Sequence, residues 1–315
     1  MSNKITIIGA GSVGAAIAND LVITDLATEV VLVDINHQKA FGEALDIYQG
    51  LSFGSPAIVR AGDYEDAAGS SIVIITSGLP RKPGQTRLDL VKTNVSILKS
   101  IIPQITRVCP DAIYVIVANP VDILTYVFCK LSGIPEERVI GSGTLLDTAR
   151  LRARIAEYLS VSQKNVHAYV FGEHGETSFI PWSIAEVSTI RLKDYKQMIQ
   201  LKNGIMVDLD YEEIDKYMRS SGAKIIARKG CTNHAIAVSV CSICEYLFGG
   251  VNTVATVATM LHGEYGLDDV CLSLPVLLGN GQVQGRIVPA LTDEEMEKLH
   301  KSGKALKEVI AQLDI

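Results

Sequence analysis

Up to Gly143 the chain alternates short, continuously apolar runs with longer stretches of mixed polarity. The runs ITIIGA (5–10), EVVLVDI (29–35), SIVIITSG (71–78), IYVIVANP (113–120) and RVIGSG (138–143) are rich in β-branched residues. A strand reads this way when both faces are covered, as in a parallel sheet flanked by helices. The intervening stretches are long enough for crossover helices, so the pattern predicts a doubly wound α/β sheet. Past Gly143 the rhythm changes. Helical segments TARLRARIAEYL and YEEIDKYMRSSGAKIIARKG mix with VCLSLPVLLG and QGRIVP, which suit antiparallel strands. Thr292 and Glu295 stand in capping-box spacing and open an amphipathic helix over 292–313. The expected division is a parallel-sheet domain over 1–142 and a mixed α/β domain over 143–315. The absence of a low-complexity linker predicts tight packing between them.

The first turn carries chemistry. GAGSVG sets Gly9, Gly11 and Gly14 in G-x-G-x-x-G spacing between a predicted strand and a predicted helix. The first glycine allows a tight turn, the second lets backbone approach a pyrophosphate, and the third lets helix and strand pack closely. The helix that follows points free N–H groups at the anion. The second strand ends in Asp34, twenty residues beyond Gly14, placed to accept hydrogen bonds from an adenosine ribose. Its charge would repel a 2′-phosphate, which favours NAD over NADP. A structural turn with a solvated aspartate is the competing reading. One lysine precedes the first apolar run, but no small-residue cleavage site follows, so the run reads as a first strand rather than a signal peptide.

Three further clusters hold polar residues in otherwise apolar surroundings. VANPVD puts Asn119 at the C-terminal end of the fourth predicted strand, the edge where open α/β sheets bind ligands. GTLLDTARLR gives Asp147 and Arg150 at i, i+3 on one helix face. YVFGEHGET places His174 among glycines and acids. Together they suit hydride transfer to a 2-keto acid. Histidine protonates the developing alkoxide near neutral pH, and an aspartate fixes its tautomer. An arginine grips the substrate carboxylate through two parallel hydrogen bonds. Arg87, at the end of the Pro- and Gly-rich loop SGLPRKPGQTR, is a candidate to polarise the reacting carbonyl.

The ordered set GAGSVG, RLDLVKTN, VANPVD, LDTAR, GEHG and KGCTNHAIA resembles the L-lactate and malate dehydrogenase family over essentially the whole chain. The resemblance implies a Rossmann domain followed by a catalytic α/β domain, NAD as cofactor, and a homo-oligomer, tetramer or dimer. It implies His174 as proton donor and acceptor, Asp147 behind it, Arg150 as carboxylate clamp and Arg87 as lid arginine, with a mobile lid at about 77–90. Asn119 would touch cofactor and substrate, Thr232 would line the pocket near the substrate's tail, and Ile236 would lie beneath the nicotinamide. Val13, Thr76 and Gly78 complete the expected cofactor contacts.

Two finer questions follow from the resemblance. Arg81 occupies the lid position that faces the substrate's side chain, where lactate-type members carry glutamine and malate-type members arginine. Shut opposite a methyl group, an arginine would be a buried unpaired charge costing several kcal/mol. Opposite a second carboxylate it would form a charge-assisted pair. TRLDL, FGEHGET, KGCT and Thr232 lean toward the lactate type, while Gln85 fits neither. Pyruvate is therefore the expected substrate, with oxaloacetate as the alternative and a non-catalytic NAD-binding protein as a remote third. Arg152 and His167 match the positions through which some bacterial members bind fructose 1,6-bisphosphate between subunits. Ordinary interface residues are the competing reading there.

Composition adds exclusions. Of 315 residues 48% are hydrophobic and 20% charged, ordinary for a compact fold, and the net charge of −6 gives no reason to expect nucleic acid or an anionic membrane. No apolar run reaches the roughly 18 residues that span a bilayer. Six scattered cysteines suggest a reducing cytoplasm. Cys241 and Cys244 form a lone C-x-x-C inside a helical pattern and read as packing residues rather than a redox or metal pair. No metal-ligand spacing is present.

Overall fold

The computed structural model describes residues 3–80, 84, 86–198 and 208–315, apart from the side chains of 196–198. Arg81, Pro83 and Gln85 lie outside the described residues. Strand β1 (Lys4–Ile8) is followed by α1 (Ser12–Ile23), β2 (Glu29–Val33), α2 (His37–Gly50), β3 (Ile58–Ala61) and β4 (Ile72–Ile75). The chain continues through α3 (Arg87–Val108), β5 (Ile113–Ile116), α4 (Val121–Ser132) and β6 (Val139–Gly141). Helix α5 (Leu145–Leu159) leads to short strands β7 (Val166–His167), β8 (Glu186–Val187) and β9 (Ile190–Arg191), then α6 (Leu192–Met198), α7 (Tyr211–Lys229) and α8 (His234–Phe248). Strands β10 (Thr253–His262), β11 (Asp268–Gly279) and β12 (Gln282–Arg286) precede α9 (Asp293–Ile310).

Among the described residues, nine strands form one sheet in the order β3-β2-β1-β4-β5-β6-β10-β11-β12. The six N-terminal strands pair in parallel. The antiparallel strands β10, β11 and β12 do not make a separate sheet. β10 joins β6 antiparallel at Ala258↔Gly141, so the second half extends the first. β3 and β10 were not anticipated from the sequence. β3, with one fully buried position in its four residues, gives little apolar signal. Because β3 intervenes, Asn119 follows the fifth strand rather than the fourth.

The apolar runs are explained by their two covered faces. Val73 and Ile75 of β4 pack with Val91 and Leu98 of α3, Leu124 of α4 and Leu299 of α9. Ile72 and Ile74 pack on the opposite side with Ile17 and Leu21 of α1 and Val240 and Ile243 of α8. Cys241 and Cys244 belong to that second core, where burial pushes the Cys241 thiol up to about 12 and Cys244 higher still. Neutral, buried thiols behave as small hydrophobes, as expected. A third core joins Leu151 and Ile155 of α5 to Ile214 and Met218 of α7 and the short β7–β9 sheet. Thr292 and Glu295 cap α9 reciprocally, as their spacing predicts. No helix among the described residues is long and apolar enough to cross a membrane.

Candidate active site

The glycine-rich turn shows why each glycine is needed. Gly9 has φ of +113°, and a Cβ there would lie 2.6 Å from Thr76 Oγ1. Thr76 instead donates its hydroxyl to the Gly9 carbonyl at 2.9 Å, tying the end of β4 to the turn. A Cβ on Gly14 would meet the Gly9 carbonyl oxygen at 1.9 Å, so α1 reaches the strand only without one. A Cβ on Gly11 would meet nothing within 4 Å. The close approaches at Gly9 and Gly14 are internal, whereas Gly11 borders open space at the start of α1. No side chain caps that helix, leaving its first N–H groups to other acceptors. Asp34 accepts from the backbone N–H groups of Ala10 at 2.7 Å and Asn36 at 2.8 Å, so it also braces the turn.

A cleft of about 770 Å³ opens at the C-terminal edge of the parallel strands. Val13, Thr76, Gly78 and Asn119 line it from the first half, and Asp147, Arg150, His174, Thr232 and Ile236 from the second. Asp147 links its two partners. Its Oδ2 lies 2.6 Å from His174 Nδ1, and its Oδ1 accepts from Arg150 Nη1 at 2.9 Å. The i, i+3 spacing on α5 makes the second contact, while the loop carrying His174 supplies the first. That loop is placed by isolated bridges Phe171↔Phe179 and Gly172↔Ser273 rather than by a regular strand. Among the described residues His174 Nε2 has no hydrogen-bond partner.

The electrostatics follow from this geometry. Burial alone would lower the His174 pKa, but the charge and hydrogen bond of Asp147, with a smaller push from Asp122, raise it above its ordinary value. Burial works to raise Asp147, yet His174 and Arg150 hold it below the usual carboxylate range. The arrangement favours an imidazolium beside an ionised carboxylate, a proton store suited to a developing alkoxide.

Some expected residues stand elsewhere. Arg87 opens α3 and pairs with the buried Glu173 carboxylate rather than lining the cleft. Glu173 also accepts from the Thr177 hydroxyl at 2.6 Å. Arg152 donates to the Ala168 carbonyl at 3.0 Å and stacks over the Tyr169 ring, while the neighbouring His167 is exposed on β7. Arg81 lies outside the described residues. Among those described, no group of three or more His, Cys, Asp or Glu is placed to hold a metal.

Three contributors were missed by sequence reasoning. Asn94, 1% exposed on the apolar face of α3, donates to the carbonyls of Asn119 and Leu79 and accepts from Leu79 N–H. Its signal was a polar residue between Val91 and Val95 on a hydrophobic stripe. Arg219 of α7 donates to the carbonyls of Glu176 and Ser178, stapling the loop after His174 to that helix. Asp122, inside the VANPVD motif, accepts from the His174 backbone N–H at 2.8 Å.

The comparisons agree along the whole chain. Residues 3–141 match the lactate/malate dehydrogenase NAD binding domain, and residues 144–314 the alpha/beta C-terminal domain of the same family. The chain is 44% identical over 313 residues to an L-lactate dehydrogenase of Acetivibrio thermocellus, covering 99% of this chain and 98% of that one. It is 41% identical over 308 residues to L-lactate dehydrogenase 1 of Clostridium acetobutylicum, covering 98% and 97% respectively. A crystal structure of the minor L-lactate dehydrogenase from Enterococcus mundtii superposes with a TM-score of 0.94 at 36% identity, covering 100% of this chain and 99% of that one. With both halves matched in order and the Asp147–His174–Arg150 cluster at the sheet's ligand edge, the chain belongs to the lactate/malate dehydrogenase family.

Proposed function

We propose that the chain is an NAD-dependent L-lactate dehydrogenase, interconverting pyruvate, NADH and a proton with lactate and NAD. The observation that carries the reading is one carboxylate, Asp147, bonded to both His174 and Arg150 on the wall of the cleft. The open side of Gly11, the uncapped start of α1 and the lining by Val13, Thr76, Gly78, Asn119 and Ile236 fit a dinucleotide. Bound there, NADH supplies the hydride. Arg150 holds the substrate carboxylate, and Asn119 and Thr232 orient the remainder. His174 delivers the proton to the nascent alkoxide oxygen and recovers it in reverse, with Asp147 holding the ring. Arg87 would leave Glu173 to polarise the carbonyl when the lid over 77–90 closes. Residues 1–142 form the NAD-binding domain, which also carries Asn119 and the lid, and 143–315 the catalytic domain, which also lends Ile236 to the cofactor.

The L-lactate dehydrogenases among the relatives favour pyruvate over the oxaloacetate that Arg81 alone suggests. The test is NADH oxidation with pyruvate against oxaloacetate, repeated for Arg81→Gln and His174→Asn. Preference for pyruvate, with turnover lost in His174→Asn, is expected. Preference for oxaloacetate that vanishes in Arg81→Gln would overturn the lactate assignment.

Arg152 and His167 are assigned to a fructose 1,6-bisphosphate site between subunits. The Arg152 bond to the Ala168 carbonyl holds its side chain at the residue that follows the exposed His167, and an arginine with a histidine suits a phosphate. A flat activity response to the bisphosphate at sub-saturating pyruvate would sink this. Phe41, Leu45 and Tyr48 expose apolar surface along α2, which we assign to contact with a second copy in a homo-oligomer. Free thiols at all six cysteines suit a cytoplasmic location.

A further inference from the structure

Asp122 is the most costly carboxylate near the site. It sits in the first turn of α4 and is 2% exposed. Its Oδ2 accepts from the His174 backbone N–H, while Oδ1 has no hydrogen-bond partner among the described residues. A neutral acceptor would satisfy that N–H as well, without the expense of burying a charge. A negative group therefore has some use here beyond accepting one hydrogen bond. The nearest positive charge it can serve is the imidazolium of His174.

We infer that Asp122 is a positioning residue for the proton-donating histidine, fixing the His174 main chain through Oδ2 and adding a second negative charge that acts on the ring. The inference rests on the reading of His174 as the proton donor. Asp147 orients the ring from the side chain; Asp122 anchors the backbone from the opposite element. The charged and titratable groups facing this cluster are Asp147 and Arg150 of α5, Arg87 of α3 through Glu173, Arg219 of α7 through the loop carbonyls, and the buried Cys271 of β11. Burial pushes Asp122 up to about 6, with His174 opposing that push.

The test compares Asp122→Asn with the wild-type holoenzyme in the pH profile of kcat/KM for pyruvate reduction. Asparagine keeps an acceptor for the His174 N–H and removes the charge. The expected result is an acid shift of the apparent pKa by roughly half a unit, read as about threefold lower kcat/KM on the alkaline limb. NADH affinity should remain unchanged. The pH dependence of His174 modification by diethylpyrocarbonate should shift in the same direction, a readout independent of turnover. A wild-type profile in both measurements would overturn the inference. If Asp122→Asn does not fold, Asp122→Ser retains a hydroxyl acceptor in less volume and is read the same way. Failure of both to fold would overturn the inference in favour of a purely structural carboxylate. His174→Asn separates the two levels. Retained turnover there removes the reading of His174 itself, whereas lost turnover beside an unshifted Asp122→Asn profile removes only the role of Asp122.

Discussion

Gly11 and Gly14 stand three residues apart in one motif, yet their substitution by alanine should fail in opposite ways. At Gly14 a Cβ would lie 1.9 Å from the Gly9 carbonyl oxygen, where ordinary contact begins at 3.4 Å, a shortfall of 1.5 Å against backbone. Neither partner is a flexible side chain, so α1 must retreat from β1. Overpacking of this kind costs about 1–3 kcal/mol, and a backbone obstacle puts it at the upper end. For a chain of this size that is a fall in Tm of roughly 3–5 °C. At Gly11 the same methyl meets nothing, and the backbone is extended, so the fold loses only the preference for glycine over alanine at a helix N-cap, roughly 1 kcal/mol or less. If pyrophosphate approaches the Gly11 backbone, however, that methyl stands in its path. Binding should weaken by about 1–3 kcal/mol, or roughly fivefold to 150-fold in Kd for NADH. Thermal melts without ligand, paired with fluorescence titration by NADH, read both quantities. Unchanged NADH affinity in a well-folded Gly11→Ala protein would refute the phosphate-cradle reasoning, and an unshifted melt for Gly14→Ala would refute the packing argument.

Further consequences concern the second half of the site and its supports. Asp147 raises the His174 pKa, so Asp147→Asn should shift the apparent pKa of pyruvate reduction to lower pH and cut kcat at pH 7 by about a hundredfold. An unshifted pH profile would detach Asp147 from the proton step. Arg150→Lys keeps the charge but loses the planar fork, which should cost on the order of 2 kcal/mol, or about thirtyfold in kcat/KM for pyruvate. NADH affinity is the control and should not move. Glu295, bonded to Ser183 and Thr292, is held below its ordinary pKa although burial would raise it. A depressed carboxylate stabilises above its unfolded pKa, and that contribution is lost as pH falls through its folded pKa. Glu295→Gln should therefore lower stability by about 1–2 kcal/mol at pH 7 and converge on wild type in acid. Chemical denaturation at pH 7 and below pH 4 checks the convergence.

The parts legible from sequence were those whose signal is local. Ile72 to Ile75 read as a strand because both faces are covered, and the capping box at Thr292 and Glu295 was visible as spacing. The same holds for Asp147 and Arg150, whose meeting is fixed by one helical turn. What stayed hidden depends on elements far apart in the chain. β10 joins β6 across 117 residues, and nothing in either run reveals that the two halves share one sheet. Asp122 and His174 are likewise 52 residues apart, and their bond exists only because α4 begins where the loop after β7 passes.

Arg87 shows the limit most sharply, because sequence marked it as a candidate to polarise a carbonyl without revealing which group it pairs with in the fold. The structure supplies one in Glu173, the residue immediately before His174. A buried carboxylate that also serves Thr177 cannot follow the arginine into the cleft, so any inward movement of Arg87 must break this pair. On the proposed role of Arg87, the carbonyl oxygen that gains negative charge in the reaction must then offer it at least as much as Glu173 does. On this reasoning the adjacency of Glu173 and His174 in GEHG joins the proposed proton donor to the carboxylate that holds Arg87.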